Sequence, residues 1–389
     1  MISVSEALDR LFSLAAPLGT EEVPLLEANG RILARDVTAR RDQPPFDNSA
    51  MDGYAVTKGA PGDSFRVIGE SAAGHRFTGA LAPGEAVRIF TGAPIPEGTG
   101  RVILQEDVTR EGDEITITGT PGEGLHIRQA GDDFKTGDSI TAHRRLTSND
   151  IALMAAMNIA RVPVARQPRV AIIATGDELV MPGEDPGPDQ IVASNSFGLH
   201  ALLSDLGAAP RLLPIARDSL ASLRTVFELA DDADLVLTIG GASVGDHDLV
   251  AQAAADMGLD RAFHKVAMRP GKPLMSGRLG DAMMIGLPGN PVSAMVCGHV
   301  FVAPVIRAML GLGAAPAPRE TAHLARDIPA NGPREHYMRA RLTADGISLF
   351  DRQDSSLLSI LSAADALIVR PPQDPARSAG ETVDYLPLS

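Results

Sequence analysis

The sequence predicts a multidomain protein of α/β and β parts: a parallel α/β region, an inserted all-β region and a small terminal β domain. Three observations predict it. The chain has 389 residues, more than one compact core usually holds, so two to four domains are expected. Near residue 46 helical spacing gives way to short β-like runs, "SFRVIGE", "AVRIFTG", "RVILQED" and "EITITGT", separated by Pro, Gly and Asp turns. From residue 168 near-continuous apolar strands alternate with helices, the pattern of a parallel sheet covered on both faces.

The elements follow in order. "MISVSEALDRLFSLAAPLG" reads as an amphipathic helix capped near Ser3 or Ser5. It lacks the basic and long apolar segments of a signal peptide. "VPLLEANGRILARDVTAR" is a short extended segment with a turn at Asn29-Gly30. After the β-rich insert, "TSNDIALMAAMNIARVPV" restores helical spacing, with Ser148 or Asn149 as N-cap, and ends in a strand. "RVAIIATG", "PRLLPIA", "ADLVLTIGG" and "AMMIGLPG" are the strands of the α/β region. "NSFGLHALLSDLG", "SLASLRTVFELADD", "DLVAQAAADMG" and "PVSAMVCGHVFVAPVIRAMLG" are its helices, the last with Pro291 near its start. "GLGAAPAPRE" (311–320) is a Pro-rich linker, and "HYMRARL", "ALIVRP" and "TVDYLPL" beyond it are short strands. The apolar runs are expected to fall short of a bilayer span, so no membrane association is expected.

Composition narrows the function. A net charge of −14 argues against a general nucleic-acid binder, which presents a basic face. Lysine occurs only at 58, 135, 265 and 272, and two of the four fall in "HKVAMRPGKP" with Arg269 between them. In an acidic, lysine-poor chain this run is a candidate anion site. The single cysteine, Cys297, lies in an apolar helix and reads as a buried structural thiol. One cysteine forms no intramolecular disulfide, which suits a reducing cytoplasm.

Ligands of open parallel sheets sit at the carboxyl ends of the strands. Three strands end there in polar turns. "ATGDELV" offers Thr175, Gly176, Asp177 and Glu178; "GGASVGDHD" offers Gly240, Gly241, Ser243, Gly245, Asp246 and Asp248; "GLPGNPVSA" offers Pro288, Asn290, Pro291 and Ser293. "SNSFG" adds Ser194 and Asn195 at another helix start. Glycines allow close approach, and helix N-termini offer N–H groups to anions. Any one of these loops alone reads as an ordinary turn. Three at one edge, beside a basic run, read as a phosphate site. Carboxylates there repel a phosphate unless a cation intervenes, and Mg²⁺ is the usual bridge. Asp246 is read as a helix-dipole charge and Asp248 as a metal or ligand residue. "QPPFDNSAMDGYAV" (43–56) and "IFTGAPIPEGTG" (89–100) are further chemically specific loops.

Together "PPFDNSAMDGYAV", "TGAPIPEGTGRVILQED", "ATGDELV", "SNS", "GGASVGDHD", "RPGKP" and "GLPGNPVSA" occur in an order that resembles the molybdopterin molybdenumtransferases, the MoeA type related to the gephyrin E domain. The resemblance covers nearly the whole chain. It implies insertion of molybdate into adenylylated molybdopterin with hydrolysis of the pterin–AMP phosphoanhydride, assisted by Mg²⁺ and releasing AMP. The implied fold has a central α/β sandwich of the molybdopterin-binding type (168–317) with an N-terminal helix (1–22) packed on it. It adds an elongated domain I from two segments (23–45 and 146–167), an inserted β domain II (46–145) and a small β-barrel domain IV (318–389). The implied assembly is a cytoplasmic homodimer with both subunits contributing to the cleft. The upstream adenylyltransferase and cofactor-accepting enzymes are further partners the family suggests.

Residue by residue, Asp52 and Thr91 resemble domain II positions that approach the cleft from the partner subunit. Asp133 matches an acidic site position, in a Gly-Asp-Asp where Gly-Glu-Asp is usual. Glu178 and Asp248 match functional acids and would hold the metal. Lys265, Arg269 and Lys272 match basic positions, Arg269 standing where lysine is more common; an arginine binds oxyanions as a fork. Arg339 and Ser355 resemble pterin- or molybdate-proximal positions, with Asp354 and Ser356 where a glycine is expected. Two alternatives differ in class. An adenylyltransferase of the same pathway would not need the 46–145 insert or the terminal barrel. A peptide-binding scaffold would not need Asp52, Asp133, Glu178 and Asp248 intact.

Overall fold

The computed structural model describes residues 1–241 and 249–388, so Ser243, Gly245, Asp246 and Asp248 lie outside the described residues. Contacts divide the chain into two compact units, one of Glu22–Val164 and the other of Met1–Glu21 with the chain from Ala165 onward.

In the Glu22–Val164 unit, a helix at Ser148–Ala156 packs Met154 against Val23, Leu33, Val162 and Val164. Its N-cap is Thr147, one residue before Ser148 and two before Asn149, the expected caps: Thr147 Oγ accepts from Asp150 N–H while the Asp150 carboxylate accepts from Thr147 N–H. This reciprocal box satisfies two otherwise orphaned donors. The rest of the unit centres on a six-stranded sheet in the order Arg101–Leu104, Gly53–Val56, Glu85–Ile89, Ser64–Ser71, Glu114–Ile117, Val108–Glu111. All neighbours are antiparallel except Ser64–Ser71 and Glu85–Ile89. Alternation buries both faces: Tyr54 and Val56 join Phe65, Ile103 and Ile115, whereas Ala55 joins Val87, Ile89 and Val102.

The other unit carries the α/β region. Its sheet runs Ala209–Leu212, Arg169–Ala174, Leu235–Ile239, Ala282–Leu287, Met275–Leu279, Asp260–His264. The first four are mutually parallel. The last two are antiparallel, so the sheet is mixed rather than wholly parallel as expected. The physical reason is connection length. Only Gly280 and Asp281 separate Met275–Leu279 from Ala282–Leu287, which closes a hairpin, while a parallel crossover needs a dozen residues or more. Ala171, Ile173 and Val236 pack on the helices Leu220–Glu228 and Leu249–Asp256. Their strand neighbours Val170, Ile172, Leu235 and Leu237 are equally buried.

The N-terminal helix, Val4–Leu14, is capped by Ser3, whose side chain accepts from Glu6 N–H. Its buried stripe Val4, Ala7, Leu8, Leu11 packs against the Met275–Leu279 strand and the Ala303–Met309 helix. Residues Pro291–Met309 form one 19-residue helical stretch with a π turn at Gly298–Val302. Its mean hydropathy of 1.6 makes it long and apolar enough to cross a membrane, contrary to the expectation that every apolar run is too short. It is 83% buried inside the protein and serves as a core helix.

The terminal sheet orders Met268–Arg269, Glu335–Thr343, Ala366–Arg370, Thr382–Pro387, Glu320–His323, with Gly346–Leu349 on Glu335–Thr343. A bridge between Leu324 and Ile347 closes this ring into a small barrel around Leu324, Ala340, Ile347, Ile368 and Val383. Met268–Arg269, from the α/β segment, joins it as a parallel strand on Glu335 and His336.

The glycine of "MDGY" has a packing reason. A Cβ on Gly53 would lie 1.9 Å from the Ile103 carbonyl oxygen. Gly53→Ala is therefore expected to destabilise the β-rich unit by about 2–4 kcal/mol, read as a lowered denaturant midpoint in equilibrium unfolding; an unchanged midpoint would refute the close-approach explanation.

Candidate functional site

Three parallel strands end at one level because Ala174, Ile239 and Leu287 stand in register. The hydrogen bonds continue past them: Thr175 N–H donates to Ile239 O, and Gly240 N–H donates to Leu287 O. Beyond these ends lies a cleft of about 840 Å³. Of the residues singled out in the sequence, Glu178, Ser194, Asn195, Gly240, Gly241, Pro288, Asn290 and Pro291 line it together. Gly240 and Gly241 take φ of +93° and +64°. A Cβ on Gly240 would meet the Thr175 carbonyl at 2.8 Å, and one on Gly241 would meet Val250 Cγ2 at 2.2 Å. Both positions require glycine.

Among the described residues, two helices that open on the cleft have no side-chain cap. The Ser194–Asp205 helix follows Ala193, and the Pro291–Cys297 helix follows Asn290, with no side-chain cap bond in either case. The helices starting at Val4, Ser148 and Leu220 are capped by Ser3, Thr147 and Ser219. First-turn N–H groups without side-chain partners are the groups an oxyanion takes. Asn195 Nδ2 donates to Gly289 O at 2.7 Å, tying the two helix starts together.

Among the described residues, two carboxylates line the cleft. Glu178 is exposed and folds over Gly176, where a Cβ would stand 2.4 Å from Glu178 Oε2. The second is Asp218, which the sequence reading missed. Its signal was present: "PIARDSL" is the polar end of the neighbouring strand, and Thr175 and Ala216 form a parallel bridge that carries Asp218 to the same edge. Among the described residues no cluster of three or more Asp, Glu, His or Cys could hold a metal alone.

The basic run lies beyond the cleft lining, between the antiparallel strands Asp260–His264 and Met275–Leu279. Lys265 sits at φ +145°, a strained conformation for a residue with a Cβ. Its carbonyl accepts from Ile2 N–H, and Ala267 N–H donates to Ile2 O. Arg269 and Lys272 are exposed, and Pro273 reaches the cleft wall. In the barrel, Arg339 is fully buried. Its Nη2 donates to the carbonyls of Arg352 and Asp354, while Nε and Nη1 have no partner among the described residues. Burial, with the nearby Arg269, presses its pKa down against the pull of Asp354; a guanidinium stays charged regardless. Neighbouring His336 is 7% exposed, and burial, then Arg269, Arg339, Arg334 and Arg370, lower its pKa to about 4. Ser355 O accepts from Val292 N–H, so the barrel loop touches the start of the core helix, and Ser356 rather than Ser355 lines the cleft. Ser293 is buried in that helix, away from the lining.

The remaining predicted residues belong to the Glu22–Val164 unit. Asp52 Oδ1 accepts from Thr91 N–H at 2.7 Å and Thr91 Oγ1 at 2.8 Å. These bonds, backbone first, hold its carboxyl below the ordinary range, with Arg88 adding a charge. Arg88 lies over the rings of Tyr54 and Phe90, 5.0 and 4.8 Å from their centroids. Asp133 is exposed.

Residues 2–158 match the MoeA N-terminal region (domain I and II), 171–308 the probable molybdopterin binding domain, and 321–388 the MoeA C-terminal region (domain IV). The chain is 37% identical to a molybdopterin molybdenumtransferase of Nostoc sp., covering 100% of this chain and 94% of that protein. It is 34% identical to the protein of the same name from Bacillus subtilis, over 99% of this chain and 94% of that one. A crystal structure of the molybdopterin biosynthesis moeA protein from Pyrococcus horikoshii superposes with a TM-score of 0.83 at 30% identity, covering 99% of each chain.

The depressed His336 pKa couples stability to pH. The neutral folded form must gain a proton that the unfolded chain binds near 6.5, so stability is complete above that pH and lost as pH falls towards about 4. His299, also lowered to about 4 by burial, acts in the same window. Denaturation midpoints should fall between pH 6.5 and 4, and His336→Gln should lessen the fall; equal slopes for both proteins would remove His336 from this account.

Proposed function

The chain belongs to the molybdopterin molybdenumtransferase family, and on that premise we propose how its own residues carry out molybdate insertion into adenylylated molybdopterin. The work is a step of molybdenum cofactor biosynthesis. The phosphoanhydride is hydrolysed: water adds to one phosphorus, the P–O bond to the bridging oxygen breaks, and AMP leaves. The dithiolene sulfurs of the pterin, not protein thiols, receive molybdenum. Cys297, buried with its thiol pKa pushed well up, takes no part.

The observation that carries this reading is the meeting of two anion seats in one compact unit. At the strand ends, Gly240 and Gly241 let a ligand approach the backbone closely, and the start of the Ser194 helix, which has no side-chain cap bond, offers first-turn N–H groups to phosphate oxygens. On the barrel, Arg339 Nε and Nη1 are buried donors without a partner among the described residues. Leaving such donors unmet is costly, and an oxyanion bound there, with Arg269 nearby and Ser355 next to Asp354, would satisfy them. Molybdate is the oxyanion this reading assigns to that seat, and the pterin phosphates are assigned to the strand ends.

The residues fit Mg²⁺ as a substrate-borne ion. The cleft offers two carboxylates, Glu178 and Asp218, and Mg²⁺ typically takes one or two from protein with phosphate oxygens and water completing its shell. Asp248, outside the described residues, is the third acid proposed. The ion would stabilise charge developing on the anhydride. Glu178 and Asp218 would hold that ion against the phosphates, and Leu179, Ile191 and Val192 form an apolar part of the cleft wall. A homodimer is part of the reading, with the Asp52–Thr91 pair, and Asp133, supplied by a second copy. The upstream adenylyltransferase and cofactor acceptors are proposed partners, in the cytoplasm.

Purified protein given adenylylated molybdopterin, molybdate and Mg²⁺ should release AMP; no release would overturn the proposal. Glu178→Gln should lower kcat for AMP release about 10²-fold. Arg339→Ala should raise the molybdate concentration for half-maximal turnover about tenfold or more, since one charged hydrogen-bond donor group is lost. An Arg339 variant with wild-type molybdate dependence would move the oxyanion seat elsewhere.

A further inference from the structure

We propose that Arg217 is a positioning residue that holds the Glu178 turn over the cleft; this rests on the function proposed above. Arg217 stands 39 residues beyond Glu178, on the segment that follows the Ala209–Leu212 strand. One atom, Nη1, with two hydrogens shared among them, lies within reach of three backbone oxygens of the acidic turn: Gly176 O at 3.4 Å, Asp177 O at 3.0 Å and Leu179 O at 3.1 Å. Three carbonyl dipoles aimed at one point repel one another without a cation there. The guanidinium supplies it at every accessible pH.

The same two segments are stitched on either side of that point. Gly176 N–H donates to Ala216 O, Ala216 N–H donates to Ala174 O, and Asp218 N–H donates to Asp177 Oδ1 at 3.1 Å. Arg217 is held in turn, its own N–H donating to Ser222 Oγ at 2.9 Å in the first turn of the next helix. Gly176, at φ +147°, leaves room for the Glu178 carboxylate to fold back over it. The turn therefore has one side fixed by Arg217 and the other occupied by Glu178. Without the guanidinium, three carbonyls must turn to water, and that rotation moves the Glu178 backbone.

Because all three bonds come from one nitrogen, this is a point-charge site. It differs from a forked arginine site, where lysine is a poor substitute. A lysine Nζ brings three donors to a single point, so Arg217→Lys should recover what Arg217→Ala loses.

The test compares Arg217→Ala and Arg217→Lys, each in the wild-type and Glu178→Gln backgrounds. Arg217→Ala should lower kcat for AMP release about 10- to 100-fold, the scale of a misplacement of about 1 Å, with little change in KM. It should cause no further loss in the Glu178→Gln background, and Arg217→Lys should return to within about threefold of wild type. Amide hydrogen exchange at residues 176–179 should quicken in Arg217→Ala and recover in Arg217→Lys. Equal losses in both backgrounds, a lysine variant no better than alanine, or unchanged exchange would each overturn the proposal. If wild type releases no AMP, the function fails, and the exchange measurement still decides the clamp.

Discussion

The site depends on a register. Ala174, Ile239 and Leu287 stand side by side in one parallel ladder, so three chains leave the sheet at the same height and turn away together. A slip of one residue in any strand would exchange the side chains of its two packed faces and move its glycine or acid out of the common plane. The register is held from below by burial. Ile172, Ile173, Leu235, Leu237 and Ile285 have almost no exposed surface, and a strand buried on both faces has no alternative pairing that keeps its side chains dry. Arg166, with both terminal nitrogens on Asp234 at 2.9 and 2.7 Å, pins the opposite end of the central strand.

What the backbone does at the strand ends, arginine does at the barrel. The chain is acidic and has four lysines, yet its buried cations are Arg339 and Arg370. Arg370 is saturated by Asp374, Pro329 O and Pro375 O and is a structural tie. Arg339 is half satisfied. Two arginines in similar burial, one complete and one not, separate scaffold from site more sharply than charge alone.

Much of this was legible from sequence, and for a consistent reason. The strand–helix rhythm, the Ser3 cap, the glycines at 240 and 241 and the acid at 178 are local patterns, fixed by periodicity or turn chemistry. The Thr147 cap was missed by one residue because Thr, Ser and Asn stand consecutively and only the partner Asp150 selects among them. The antiparallel edge was missed because "DRAFH" carries no apolar run, although the two-residue link at Gly280-Asp281 was visible. Asp218 was missed because the polar strand end "PIARDSL" reads as an ordinary turn until the Thr175–Ala216 bridge sets it at the common edge. Burial of Arg339 was missed because alternation turns it away from the barrel core that Met338 and Ala340 face, and its guanidinium bonds instead to the Arg352 and Asp354 carbonyls of a segment far along the chain. The loop from Ser243 to Asp248, which first suggested a phosphate site, lies outside the described residues, and the neighbouring glycines and helix starts carry that reading instead.

Met268 and Arg269 belong to the polypeptide of the α/β region but hydrogen-bond as a strand of the barrel. Lys265, three residues earlier, is bonded to Ile2 on the other side. The basic run is thus a shared rail between two bodies. In kinematic terms the linkage has no free joint at the cations: any tilt of the barrel carries Arg269 and Arg339 as one lever, with the chain's first residues as its fulcrum. An extension grafted directly onto Met1 loads that lever.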